Sequence, residues 1–444
     1  MIITEIKIMY YKTESGMSHT KIGEKIMHKI RNTIIILVGS ILAGALVLFL
    51  VHLLPLSPMK EHIRQSLPLL EAEFENSELI MGYDGTLTGS FTDCLMLENA
   101  VYTSSQHSIW EQSMMMYRGE SLQEGWAPGV SLVQYIQEGS NPREVEYSRY
   151  WHGYLIILKP LLLFFNVGTI RMLNAILQYA LPLIFLFVCT KKGRPYLGIA
   201  MCAALPFLYS FSMYASLSLS ICFYVMILAA ILQVLYERKL RSCWWEFFVI
   251  IGILTAYFDF LTYPLVTLGA CLCIMSTLEN KQWKRACWSV IEKSLAWGIG
   301  YLGMWAGKWV LTDLFFQSGT LTDALNTVKS RTDTVQQSVA VGFLEVIRKN
   351  LGEFLNWPFV LLIIVTAGGI IIYLSKQKMD GKRGEWLGCL PYLIIAAYPF
   401  CWYLVTQNHS YEHFMFTCKI MFVSVFAFIC FGINFCTIKN KDKW

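Results

Sequence analysis

TIIILVGSILAGALVLFLVHLL, residues 33–54, decides the class of this protein. The run contains one ionisable side chain, His52, and is otherwise apolar or small. A helix that crosses the hydrocarbon core of a bilayer needs about 20 such residues. A soluble surface helix would instead show an apolar stripe and a polar face. Composition points the same way: 55% of the 444 residues are hydrophobic and 15% charged, against about 25% charged in soluble domains. The run is too long for the apolar region of a signal peptide, and no small-residue cleavage site follows it. It is therefore expected to be an uncleaved first helix. Met17 opens MSHTKIGEK and is an alternative start.

Working outward, further apolar runs are predicted to be helices at about 168–190, 196–213, 216–236, 243–258, 262–278, 288–312, 356–375, 386–405 and 413–436. The fold class expected is an all-α polytopic membrane protein with about ten transmembrane helices and a large first extracytoplasmic loop with juxtamembrane helices. Its parts are a basic N-terminus (1–32), the first helix (33–54), an outer loop ending in an interfacial helix (55–167) and a transmembrane bundle (168–312). A second outer segment (313–355), the C-terminal helices (356–436) and a tail (437–444) follow. The interfacial helix is read from GYLIILKPLLLFFN, residues 153–166, which is too short to cross and carries Lys159 and Pro160 in its middle.

Lys and Arg set the orientation. Of 36 basic residues, 22 lie in the N-terminus, the tail and the turns around 191–194, 238–241, 281–285 and 376–383, all on one side of this topology. The positive-inside rule makes that side cytoplasmic, so a plasma-membrane protein with both termini in the cytoplasm is expected. Residues 55–152 carry fourteen Asp and Glu against five Lys and Arg, consistent with an outer location. The net charge of +5 is spread by topology rather than gathered in a patch, which excludes nucleic acid as a partner. Most of the thirteen cysteines lie in apolar runs and only Cys94 in the large loop, so no disulfide framework is expected.

Ionisable residues in or beside apolar spans are functional candidates by default. Asp93 lies in the first loop, Arg149 and His152 precede the interfacial helix, and Lys159 is inside it. Arg171 begins the second span and Asp259 sits in the turn YFDFLTYP. Lys308 lies within WAGKWV, and His409 and His413 share the turn QNHSYEHF. All fall in the outer half of the topology. Each also has a plain reading. Lys159 and Arg171 can snorkel to headgroups. Asp259 can cap the following helix. His409 and His413, four residues apart, share a helical face but lack a third metal ligand. No metal or other cofactor is expected. Loops of the GxxxxGK[ST], HExxH and GxSxG types are absent.

The segments SFTDCLMLENAVY and RYWHGYLIILKPLLLFFNVGTIRMLNAIL, with the first helix before them, resemble the polytopic glycosyltransferases of the C-fold class (GT-C). These include the protein mannosyltransferase-like and aminoarabinose transferase-like families. The likeness covers residues 33–190; beyond that it is one of architecture. Where many members carry paired acids, Cys94 follows Asp93 here, which speaks against a metal-dependent variant. The resemblance implies transfer of a sugar from a polyprenyl-phosphate carrier to a cell-envelope glycan or lipid acceptor on the outer face, with inversion. Asp93 would be the base. Lys308, Arg149, Lys159 and Arg171 would hold the donor phosphate, and His152, Asp259, His409 and His413 would touch substrate. Trp110, Trp126, Tyr150 and Trp151 would pack on sugar faces. On this reading Asp93→Asn abolishes transfer and leaves membrane insertion intact. The rival classes are a transporter or flippase for a lipid-linked glycan, a polysaccharide polymerase or ligase, and a non-catalytic assembly protein. A transporter would place its charges near the bilayer midplane.

Overall fold

The computed structural model describes residues 19–75, 78–88, 90–120, 128–139, 143–279, 282–333, 335–336, 339–376 and 385–440. Met17, Trp126, Lys281, Lys378, Lys382, Arg383, Lys441 and Lys443 lie outside the described residues. The protein is an all-α membrane protein, 81% helical with almost no sheet. Two short antiparallel ribbons, Arg118–Glu120 with Arg143–Val145 and Val335–Gln336 with Val339–Ala340, are the paired strands among the described residues.

The first helix is longer than its apolar run predicts. It spans His19–His52 rather than 33–54, about 51 Å at 1.5 Å per residue. Lys21, Lys25, Lys29 and Arg31 therefore continue the helix. It ends ahead of Pro55, whose ring cannot continue it. Five helices among the described residues are long and apolar enough to cross a membrane: Ile26–His52, Val167–Lys191, Leu217–Leu235, Leu387–Val405 and Phe414–Phe435. A sixth arises if Phe343–Gly352 and Trp357–Gly369, bent by 90°, count as one span. Trp244–Phe258 and Leu265–Leu278 are about 21 to 23 Å long, short of the ~30 Å core. The 196–213 run is broken: helix Pro195–Ala204 passes into a tight turn, and Tyr209 is left-handed at φ 54°.

Packing in the bundle depends on close backbone approach. Helices Trp244–Phe258 and Trp283–Phe316 touch through Gly252 and Gly300. A Cβ on Gly252 would lie 2.1 Å from the Trp297 carbonyl oxygen, and one on Gly300 2.1 Å from that of Val249. Small residues serve this purpose where lipid supplies no hydrophobic drive between helices. Helices Val167–Lys191 and Leu217–Leu235 are joined by side-chain amides. Asn174 Nδ2 and Gln178 Nε2 donate to Ser220 Oγ at 2.9 and 2.6 Å.

The first loop is a small helical domain with a core of its own, built from Met59, Ile63, Leu70, Cys94, Leu97, Leu132 and Leu155 among others. Its helices are Leu56–Arg64, Leu67–Glu75, Ser90–Val101, Ile109–Met115, Pro128–Glu138 and Leu155–Phe164. The last of these was expected to lie at the interface. One face of it docks into the protein, where Leu155, Leu158, Lys159 and Leu162 are buried, and Ile157 and Phe164 face out. The second loop segment holds helix Thr320–Thr332, the ribbon at 335–340 and helix Phe343–Gly352.

Candidate functional site

The nine residues singled out in the sequence do not converge on one site. They fall into three groups.

Asp93 and Arg171 form the first. Asp93 is fully buried in the first turn of helix Ser90–Val101. Its Oδ2 accepts from the Leu217 backbone N–H at 2.8 Å, and its Oδ1 from that of Ser218 at 3.0 Å and the Ser216 hydroxyl at 3.5 Å. These N–H groups open helix Leu217–Leu235 and have no partner within it; the helix dipole there also favours an anion. Ser216 Oγ takes the Leu219 N–H at 3.2 Å. Arg171 stands 3.6 Å from Asp93 and makes a two-pronged pair with Glu73 at 2.5 and 3.1 Å. Burial raises the Asp93 carboxyl from its ordinary value, opposed by Arg171 and the two backbone donors. Both oxygens thus serve to fix the start of a spanning helix. Snorkelling does not describe Arg171, which points inward to two carboxylates.

Lys159, Lys308 and His152 form the second group. Each is buried and bonded to a backbone carbonyl. Lys159 Nζ donates to the Ala100 oxygen at 2.6 Å, so the snorkelling reading fails here too. Burial pulls this ammonium down to about 8. Lys308 Nζ donates to the Met114 carbonyl and lies 5.4 Å from the centre of the Trp151 ring. His152 Nε2 meets the Tyr147 carbonyl at 2.8 Å, and Nδ1 meets the Tyr154 hydroxyl at 3.1 Å. Burial pulls this imidazole down to about 3. A third lysine, Lys419, repeats the pattern: Nζ donates to the Gly85 carbonyl at 2.7 Å. Sequence reading missed it because one charge is averaged away in the run 413–436. Lys308 and Lys419 thus fasten Met114 and Gly85 of the first loop onto the bundle, and Lys159 ties Ala100 to the loop's own last helix.

The third group, Arg149, Asp259, His409 and His413, lies at or behind one side of a cavity of about 270 Å³, which Arg149 lines. Its wall is aromatic: Tyr150, Trp297, Tyr301, Trp305, Trp309 and Trp402. Trp297 to Trp309 follow one helix for about 18 Å, so the cavity is a slot along it. Arg149 lines the slot at the Trp309 end, where the indole Nε1 donates to the Arg149 carbonyl at 2.9 Å. Leu302, also in the wall, is 62% exposed, so the slot opens sideways onto the apolar surface of the bundle. Helix Thr320–Thr332 supplies Ala324, Thr327, Val328 and Arg331 to the rim. Among the described residues, the Tyr301 hydroxyl and Trp402 Nε1, both on this wall, have no hydrogen-bond partner.

Behind the rim, the Arg331 guanidinium donates to His409 Nδ1, and His409 Nε2 meets the Leu261 carbonyl at 3.0 Å. An imidazole that accepts on one nitrogen and donates from the other is neutral and of fixed tautomer. Burial, Arg331 and His413 together hold it well below its ordinary pKa. Burial, then Arg331, pulls His413 down to about 4. Asp259 sets the turn that presents Leu261. Its Oδ2 accepts from the N–H groups of Leu261 and Thr262 at 2.9 and 3.1 Å, and its Oδ1 from the Thr262 hydroxyl. Leu261 lies at φ 69°, a conformation a branched residue keeps only when its surroundings impose it. Asp259 therefore fixes this turn and does not cap the following helix, which begins at Leu265 behind Pro264 with no side-chain cap.

Of the nine, Arg149 lines the slot, Asp259, His409 and His413 lie behind its rim through Leu261 and Arg331, and Asp93, Arg171, Lys159, Lys308 and His152 are in bonds that hold the first loop. Of the aromatics expected on sugar faces, Tyr150 lines the slot. Trp151 is buried with its Nε1 on the Met304 carbonyl at 2.7 Å, and Trp110 packs on Phe49 and Phe315. Arg331 was not anticipated. Its signal was available: basic residues such as Lys329 and Arg331 sit in a segment assigned to the side that positive charge avoids. Among the described residues, no three His, Cys, Asp or Glu side chains gather as metal ligands. Compared with protein families, curated proteins and solved structures, the chain matches none.

Proposed function

We propose that this protein is an integral membrane glycosyltransferase of the C-fold kind. It moves a sugar from a polyprenyl-phosphate donor to a cell-envelope glycan or lipid acceptor at the outer face of the plasma membrane. In this reading both termini are cytoplasmic, and the short apolar helices complete a ten-helix topology. The observation that carries it is the aromatic slot, open toward lipid, with Arg149 and Arg331 at its rim. An apolar chain enters from the side, and its phosphate meets two guanidiniums suited to phosphate geometry. In the transfer, the acceptor hydroxyl oxygen bonds to the anomeric carbon, the carbon–oxygen bond to phosphate breaks, and the lipid phosphate leaves with the electron pair. The hydroxyl proton passes to a base. Arginines placed where negative charge grows stabilise that step. Of the four cations expected in this role, Arg149 stays at the rim beside Arg331, while Arg171, Lys159 and Lys308 are engaged elsewhere.

The test is reconstitution in proteoliposomes with a polyprenyl-phosphate sugar. Release of polyprenyl phosphate with glycosylation of an acceptor is expected. Arg331→Gln should lower donor affinity by about tenfold or more, the value of one charge-assisted contact. Movement of the intact lipid-linked sugar across the bilayer without product would establish a flippase instead.

A further inference from the structure

Arg149 reaches the slot rim already engaged. Its Nη1 donates to both carboxylate oxygens of Asp323, at 3.2 and 3.1 Å, and to the Thr327 hydroxyl at 3.0 Å. Asp323 and Thr327 lie one helical turn apart on helix Thr320–Thr332, the same helix that carries Arg331. That helix follows two left-handed positions, Gln317 at φ 51° and Gly319 at φ 71°. Its far end is held by Arg331 on His409 and by Asn408 Nδ2 on the Ser330 carbonyl at 2.9 Å. The Arg149–Asp323 pair is exposed, with side chains 33% and 56% accessible, so it is weak and easily exchanged.

We infer that Asp323 is an internal stand-in for the acidic headgroup: an entering phosphate displaces it from Arg149, while Ser148 on the Thr320 hydroxyl at 2.9 Å keeps the near end of helix Thr320–Thr332 in place. The inference rests on reading the slot as the seat of an acidic lipid. A carboxylate and a phosphate compete for one guanidinium fork, and a competitor tethered in the same chain lowers the apparent affinity of the ligand by the fraction of time it holds the site. Asp323 therefore restrains binding at the slot.

The probe is dodecyl phosphate, titrated against the full chain in nanodiscs and read by the fluorescence of the slot tryptophans. Dodecanol and inorganic phosphate serve as separate arms. Asp323→Asn should bind dodecyl phosphate about two- to fivefold more tightly than wild type. In an Arg149→Gln background the same change should have no effect. Unchanged or weaker binding by Asp323→Asn would overturn the stand-in role. Wild type binding dodecanol as well as dodecyl phosphate would instead overturn the acidic-lipid reading of the slot, and the inference with it. A gain in Asp323→Asn seen equally with inorganic phosphate would support the displacement and assign it to free phosphate. Asp323 is exposed and Arg149 half-buried, and monodisperse elution verifies the folding of both variants.

Discussion

Replacing Asp93 by Asn separates a structural carboxylate from a chemical one. The amide keeps the shape but offers one acceptor oxygen where the carboxylate offers two. Either the Leu217 or the Ser218 N–H then faces an NH2 group, and the attraction to Arg171 at 3.6 Å is lost. A hydrogen bond to a charged group contributes about 1.5–3 kcal/mol, and loss of a helix cap costs about 1 kcal/mol. Stranding a buried charge costs about 3–5 kcal/mol, but Arg171 keeps its two bonds to Glu73, so that penalty is only partly incurred. The first two contributions add to about 2.5–4 kcal/mol of lost stability, with part of the third on top. The assay is a denaturant titration of the purified protein in mixed micelles, with turnover on the lipid-linked donor measured on the same samples. A variant within about 0.5 kcal/mol of wild type that has lost all turnover would refute the capping role and restore Asp93 as the base. Arg171→Gln is the companion: combined with Asp93→Asn, its cost should be well short of the two added together, because the pair shares one interaction.

Lys308→Met should free the chain around Met114, speeding protease cleavage between residues 102 and 120, with little effect on dodecyl phosphate affinity; a selective loss of affinity would return Lys308 to the phosphate site. Gly300→Ala puts a methyl group 2.1 Å from the Val249 carbonyl oxygen, whereas Gly298→Ala has nothing within 4 Å. The first should sharply lower folded yield in size-exclusion profiles and the second should not; equal behaviour would discount the close helix crossing. His413 has its pKa depressed to about 4, so the unfolded chain, with a histidine value of about 6.5, binds the extra proton first. Its contribution to stability is complete above about pH 6.5 and is lost as pH falls toward 4. Thermal melts should decline across that window, and His413→Phe should flatten the decline; an unaltered pH profile would contradict it.

The apolar runs announced the helices because continuous hydrophobicity is a property of consecutive residues. The run at 168–190 became Val167–Lys191, and 216–236 became Leu217–Leu235. Where a run was interrupted in geometry rather than in polarity, as at Tyr209, the mark was Pro206, which hydrophobicity does not register. Most of the buried charged residues were found, Lys419 excepted, since cost in an apolar setting is also local. Their partners were not, because those of Lys159, Lys308 and Lys419 are backbone carbonyls, and any residue type offers one. The slot stayed hidden for a related reason. Its aromatics at 297, 301, 305 and 309 recur at helical spacing, which reads equally as core packing, and its second wall comes from segments around 324–331 and 402–406. Arg331 matters through its neighbours in space, and its position in the chain gives no hint of them.

The three lysine fastenings also order events in time during synthesis. The carbonyl of Ala100 waits 59 residues for Lys159, that of Met114 waits 194 for Lys308, and that of Gly85 waits 334 for Lys419. At about 5–20 residues per second, the last interval is roughly 17–67 s. The first loop is therefore made early and secured late, one helix at a time, with the segment around Gly85 left for any chaperone or protease to meet until nearly the whole chain has been inserted.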